Sequence, residues 1–174
     1  MYAGHVGIAL GFRSVRGAPP LWLLVLAAQG PDWGDMLHEA LRLPFGNPGW
    51  SSHSFPMVGV GALGAGAVAW LVTRRGGTPG RAALIAAVAY LSHWLADFFT
   101  GNKPTWPGGP VVGLGLYSHP LRDLALEGAV IVCGWWLWRR ALPRPGGRLS
   151  YTLLAALLAC QGAAFVSIRL GLLE

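Results

Sequence analysis

The chain holds 174 residues, 53% of them hydrophobic and only 11% charged, whereas an ordinary soluble domain carries roughly 25% charged residues. Such a composition excludes a water-soluble globule and points to an integral membrane protein, with room for one helical domain, residues 1–174, and no large soluble appendage. The formal net charge of +6 does not indicate nucleic acid, because the basic side chains sit in short loops between apolar runs and form no stripe with interleaved aromatics.

Two short apolar runs come first, Tyr2 to Phe12 and Pro20 to Gly30, each about half to two-thirds of the ~20 residues a helix needs to cross a bilayer. Short, tilted or re-entrant helices are expected there. Four stronger runs follow, Phe55 to Thr73, Ala82 to Thr100, Leu121 to Trp138 and Leu149 to Leu173, each near the length of a full crossing. Gly- and Pro-rich breaks at Arg16 to Pro20, Pro44 to Gly49, Gly76 to Gly80, Pro104 to Pro110 and Pro143 to Gly147 punctuate them. No period-2 alternation long enough for a membrane strand occurs. The expected fold is therefore all-α, a polytopic transmembrane bundle of five to six segments, some short. No basic stretch precedes the first run and no small-residue cleavage pattern follows it, so no removable signal peptide is expected. Cys133 and Cys160 fall mid-span in different runs, where buried reduced thiols are the expectation.

Arg13 and Arg16, then Arg74, Arg75 and Arg81, then Arg139, Arg140, Arg144 and Arg148 occupy alternate loops, leaving only Arg42, Lys103, Arg122 and Arg169 near the opposite face. Positive loops mark the cytoplasmic side, so a six-segment inner-membrane arrangement has both termini outside. Trp22, Trp70 and Trp135 to Trp138 would form the inner aromatic belt, with Trp33, Trp50 and Trp106 on the outer one.

The ionisable residues then segregate. His5 starts the first segment, Asp32 and Asp35 follow the second, and His53 precedes the third. His93 and Asp97 end the fourth, and His119, Asp123 and Glu127 open the fifth. Every one falls at the outer end, where ionisable groups at bilayer depth persist for a function. His93 and Asp97, four residues apart, project from one helix face, and His119, Asp123 and Glu127 repeat that spacing with Glu127 deepest. Pro31-Asp32-Trp33-Gly34-Asp35 reads as a sharp turn that ends a helix and presents carboxylates to a cation. Ser52-His53-Ser54 reads as a helix entrance, with a serine capping and His53 facing inward. His38 and Glu39 sit in an amphipathic surface segment running to Leu43. Imidazoles beside hard oxygen ligands suit a divalent ion, zinc first and manganese or iron next. Gly59-Val60-Gly61-Ala62-Leu63-Gly64 matches a dinucleotide fingerprint, but no strand precedes it. Small residues at Gly61, Ala65 and Ala69 more simply let two membrane helices approach closely.

The constellation resembles the YdjM-like inner-membrane metal-dependent hydrolases. The matching pieces are Gly4-His5, Pro31-Asp32, Ser52-His53-Ser54 and His93-Trp94-Leu95-Ala96-Asp97 followed by Thr100-Gly101. Pro107-Gly108-Gly109-Pro110 to Gly113-Leu114-Gly115-Leu116-Tyr117, with Glu127 further on, also looks like a related set of multi-span proteins. The resemblance covers roughly residues 4 to 138. Gly49-Trp50-Ser51-Ser52-His53-Ser54 departs from it by lacking the arginine expected before the central histidine.

Together these readings give a membrane-embedded metal-dependent hydrolase acting at the outer headgroup level on a lipid-linked ester, phosphoesters first. His5, Asp32, His53, His93 and Asp97 are the expected metal ligands. Glu127, with Asp35 or His119, would complete a second position or act as general base. A metal-stabilised scaffold is the alternative class, distinguished by a saturated coordination sphere. A transporter is the third, and the scarcity of polar groups on the cytoplasmic side of His93 argues against it.

Overall fold

A computed structural model describes residues 3–41, 51–143 and 147–170. Arg42, Leu43, the break at 44–49, Trp50, Arg144 and the last residues of the final run lie outside the described residues. The architecture is all-helical: α1 (Gly4–Arg13), α2 (Leu21–Ala28), α3 (Gly30–Leu41), α4 (Phe55–Thr73), α5 (Pro79–Thr100), α6 (Pro120–Ala141) and α7 (Arg148–Arg169). A two-residue hairpin between α5 and α6 pairs β1 (Lys103–Pro104) with β2 (Val111–Val112) in antiparallel register, Lys103 opposite Val112. A 3-10 turn at Leu116–Ser118 leads into α6.

Among the described residues, three helices are long and apolar enough to cross a membrane: Phe55–Thr73, Pro79–Thr100 and Arg148–Ser167. Helix α6 is as long, but it carries Arg122, Asp123, Glu127, Arg139 and Arg140. The surface is greasy, and the interior sets polar groups among its apolar core. Leu63, Leu84, Leu95 and Leu149 stand outward and exposed, whereas His5, His93, Glu127 and Thr100 are fully buried. A contiguous apolar exterior of this kind is expected where the surrounding medium is lipid. Cys133 and Cys160 are free and exposed, Cys133 on that exterior and Cys160 where α7 borders a cavity. The expectation of buried thiols is corrected, since a mid-span position on the lipid side faces outward.

Helices α2 and α3 are separated in sequence by Gln29 alone. The expected sharp turn over Pro31 to Asp35 is instead the first turn of α3, with Asp32 within it. Proline early in a helix wastes no hydrogen bond, and a carboxylate there meets the positive end of the helix dipole, so the sequence favours a restart. Because proline donates no N–H to the previous turn, the restart is also a break.

Backbone contact between α1 and α6 sets the position of the first histidine. A Cβ added at Gly134 would lie 1.8 Å from the Gly7 carbonyl oxygen, and one at Gly7 would lie 2.8 Å from Ile131 Cα. Only glycine admits this crossing. Helices α4 and α5 pack through Val58, Ala62, Gly66 and Ala69, with Gly66 facing Ala83 and Ala87. Of the expected Gly61, Ala65, Ala69 stripe, Ala69 is fully buried and Ala65 packs partly buried against the cluster holding Ile85 and Ala89. Gly61 instead receives the Tyr90 ring, which also sits against Gly30. Among the described residues, nothing lies within 4 Å of a Cβ added at Gly59 or Gly64, the ends of the fingerprint. Trp135, expected in the inner belt, is buried, and its Nε1 donates to the Ser150 carbonyl at 2.7 Å.

A candidate metal centre at one end of the bundle

Four side chains from three pieces of sequence meet in one place. Asp32 comes from the first turn of α3, His53 from the segment before α4, and His93 and Asp97 from successive turns of α5. His53, His93 and Asp97 are almost completely buried, while Asp32 is 47% exposed. His53 Nε2 lies 3.0 Å from His93 Nε2, 3.2 Å from Asp97 Oδ2 and 3.4 Å from Asp32 Oδ1. His93 Nε2 lies 3.3 Å from Asp97 Oδ2 and 3.4 Å from Asp32 Oδ1. All four atoms fall within 4.8 Å of one another. Ligands ~2.0 Å from a common centre in a tetrahedron are ~3.3 Å apart. Five of the six edges therefore already have the length a small divalent ion requires.

The tautomers agree with this use. His93 Nδ1 donates to the Ala28 carbonyl at 2.7 Å, an oxygen at the end of α2 that the break before Pro31 leaves to a side chain. His53 Nδ1 faces Asp35 Oδ2 at 3.0 Å and Ser52 Oγ at 3.0 Å. With both Nδ1 positions so occupied, both Nε2 atoms turn their lone pairs toward the two carboxylates. Such a group needs a cation, whether protons or a metal. A histidine held at one nitrogen by a carboxylate or carbonyl and offering the other is the usual arrangement of a metal ligand.

Electrostatics supply the protons when no metal is bound. Burial alone would depress the His53 imidazole, but hydrogen bonds to Asp32, Asp35 and Asp97 outweigh it and push its pKa from 6.5 up to about 10. Burial works to raise the Asp32 carboxyl, and the bonds from His53 and His93 overcome it, holding the group well below the usual carboxylate range. Asp35 is lowered in the same way by His53 and Ser52.

The remaining expected residues take other places. His5 does not join the four atoms. Its ring stacks on His93 at 3.9 Å, and its Nε2 meets Asp97 Oδ1 at 3.2 Å, on the oxygen opposite the one in the cluster. It orients Asp97. Glu127, fully buried on α6, accepts a hydrogen bond from the Gly4 backbone N–H at 3.1 Å. That bond satisfies an orphan donor at the start of α1 and holds the helix carrying His5. Asp35 steadies His53 and lines the adjoining cavity. His119 is exposed before α6, in a separate hollow with Leu121, Arg122 and Arg169. The serines before α4 do not cap it. Ser54 makes no capping bond, while Ser51 Oγ accepts from the His53 N–H at 3.1 Å and Ser52 steadies the ring. His38 and Glu39 lie in α3, the first half-buried and the second exposed.

Sequence reasoning missed Lys103, treated only as a stray basic residue. Its Nζ lies 2.8 Å from Asp97 Oδ2, one of the four clustered atoms. The signal was a lone lysine in the short turn directly after His93-x-x-x-Asp97. The cluster opens on a cavity of about 730 Å³, lined on the polar side by Asp32, Asp35, Asp97 and Lys103 and on the apolar side by Val6, Met36, Leu157 and Cys160. Comparison of the chain with protein-family models, with curated proteins and with solved structures finds no match.

Proposed function

We propose that this chain is a membrane-embedded metal-dependent hydrolase that cleaves a lipid-linked ester, a phosphoester first. The observation that carries the reading is the tetrahedral set of Asp32, His53, His93 and Asp97 ligand atoms opening onto an amphipathic cavity. His53, His93 and Asp97 are buried and Asp32 is half-exposed at the cavity, so three ligands are fixed and the Asp32 position is the one that water or substrate could reach and share. A divalent ion held there supplies a Lewis acid at the ester oxygen and lowers the pKa of a water to ~7. Zinc fits the edge lengths and donor set best, with manganese or iron next.

The chain's own residues would do the rest. Asp35 and the Ala28 carbonyl fix the two imidazoles, His5 fixes Asp97, and the apolar wall receives the hydrocarbon portion of the substrate. The basic loops at the far ends of the helices support a site on the extracytoplasmic side of the inner membrane. The resemblance to the YdjM-like hydrolases points the same way.

A second reading is a metal-stabilised scaffold, favoured by the presence of four candidate protein ligands, the number a structural site uses. Hydrolysis of fluorogenic phosphodiester and carboxylester lipids by detergent-purified protein separates the two. The hydrolase reading expects turnover that requires metal and is lost in Asp32→Ala protein that still folds. Metal uptake with no turnover of any lipid ester would leave the scaffold.

A further inference from the structure

Lys103 sits where two cations compete for one oxygen. Its Nζ is 2.8 Å from Asp97 Oδ2, the atom that also lies 3.2 Å from His53 Nε2 and 3.3 Å from His93 Nε2. A divalent ion in the tetrahedral set would bind that same oxygen, and its two charges would balance Asp32 and Asp97. The ammonium would then be left beside a cation with its carboxylate partner taken, an arrangement that costs energy in a half-buried setting. The lysine has somewhere to go. Its backbone is pinned in the hairpin opposite Val112, its side chain is 22% exposed, and it lines the same cavity as Asp32 and Tyr117. Among the described residues it is the one Lys or Arg lining that cavity, beside the carboxylates Asp32, Asp35, Glu39 and Asp97.

Resting on the metal reading above, we propose that Lys103 is an exchangeable cation. It holds Asp97 until a divalent ion takes the oxygen, then turns into the cavity and binds the anionic oxygen of a phosphate-type group. This makes the site selective for anionic phosphoesters over neutral carboxylic esters. Lysine serves such groups as a flexible point charge. The phosphate belongs either to a lipid headgroup at the membrane surface or to a free oxyanion, and the chemistry is the same.

The test uses full-length protein as wild type, Lys103→Met and Lys103→Arg, each checked by thermal melting. Titration with Mn²⁺ reads the competition, and the Met variant should bind the ion more tightly by roughly tenfold or more, because a charge-assisted bond no longer has to be broken. Inorganic phosphate, then nanodiscs of phosphatidylcholine with and without phosphatidic acid, read the anion arm on the metal-loaded protein. Wild type should bind phosphate in at least one of these forms, with Lys103→Met losing most of that binding and Lys103→Arg keeping much of it. Response to free phosphate assigns a soluble oxyanion, and response only to phosphatidic acid assigns the lipid. A Met variant with unchanged or weaker Mn²⁺ affinity overturns the exchange and leaves Lys103 a brace for the hairpin. Tighter Mn²⁺ with anion binding unaltered overturns the substrate role. Wild type that takes up no divalent ion overturns the hydrolase reading itself, and the proposal with it.

Discussion

Metal binding should strengthen with pH, and the size of the effect follows from His53. Its ring is pushed to about 10 by the three carboxylates around it, so metal-free protein keeps that imidazole protonated through the neutral range. A divalent ion must displace the proton to reach Nε2. One proton lost per ion makes the apparent association constant rise about tenfold per pH unit, or about a hundredfold between pH 7 and pH 9. Titration calorimetry in buffers of different ionisation enthalpy reads both the affinity and the proton released. The stability of the two forms should diverge over the same window. Because the folded pKa lies above the unfolded 6.5, the stabilisation His53 gives the metal-free fold is complete below pH 6.5. It is lost as pH rises through about 10, while the metal-loaded fold gains. An affinity flat from pH 7 to pH 9, with no proton released, would refute the reasoning.

Asp35→Ala removes the carboxylate 3.0 Å from His53 Nδ1 and should weaken metal affinity roughly 10- to 100-fold without abolishing it, as read by competition with a chelating dye. Gly134→Ala drives a methyl into the Gly7 carbonyl oxygen and should cost about 3 kcal/mol, seen as a lower melting temperature in detergent. Gly59→Ala, with open space around it, should stabilise by up to ~1 kcal/mol. His119→Ala should leave metal affinity unchanged in the same dye assay, because the side chain is exposed in a separate hollow.

The helical class and the bundling of apolar runs were legible from composition and period, since both depend on local chain properties. Convergence of His53, His93 and Asp97 was legible for a different reason: ionisable groups in so apolar a chain have few places to go. What spacing could not reveal was which side of each residue faces which partner. His5 and Glu127 have the right chemistry and depth, yet one ends behind Asp97 and the other on the first backbone N–H of α1. Those roles depend on the Gly7–Gly134 crossing, a long-range contact with no local signature. Pro31 misled for a related reason, because a turn and a helix restart share the same residues. Lys103 was hidden because a lone basic residue in a loop reads equally as a topology signal and as a partner for a buried carboxylate.

Metal content by mass spectrometry on detergent-purified wild type, beside His93→Ala and Asp97→Asn, tests the central claim most directly. Near-stoichiometric zinc, manganese or iron in wild type, absent from both variants while they remain folded, is the predicted result. Folded wild type that stays metal-free after incubation with each of these ions would contradict it, leaving the cluster a proton-bridged network of imidazoles and carboxylates.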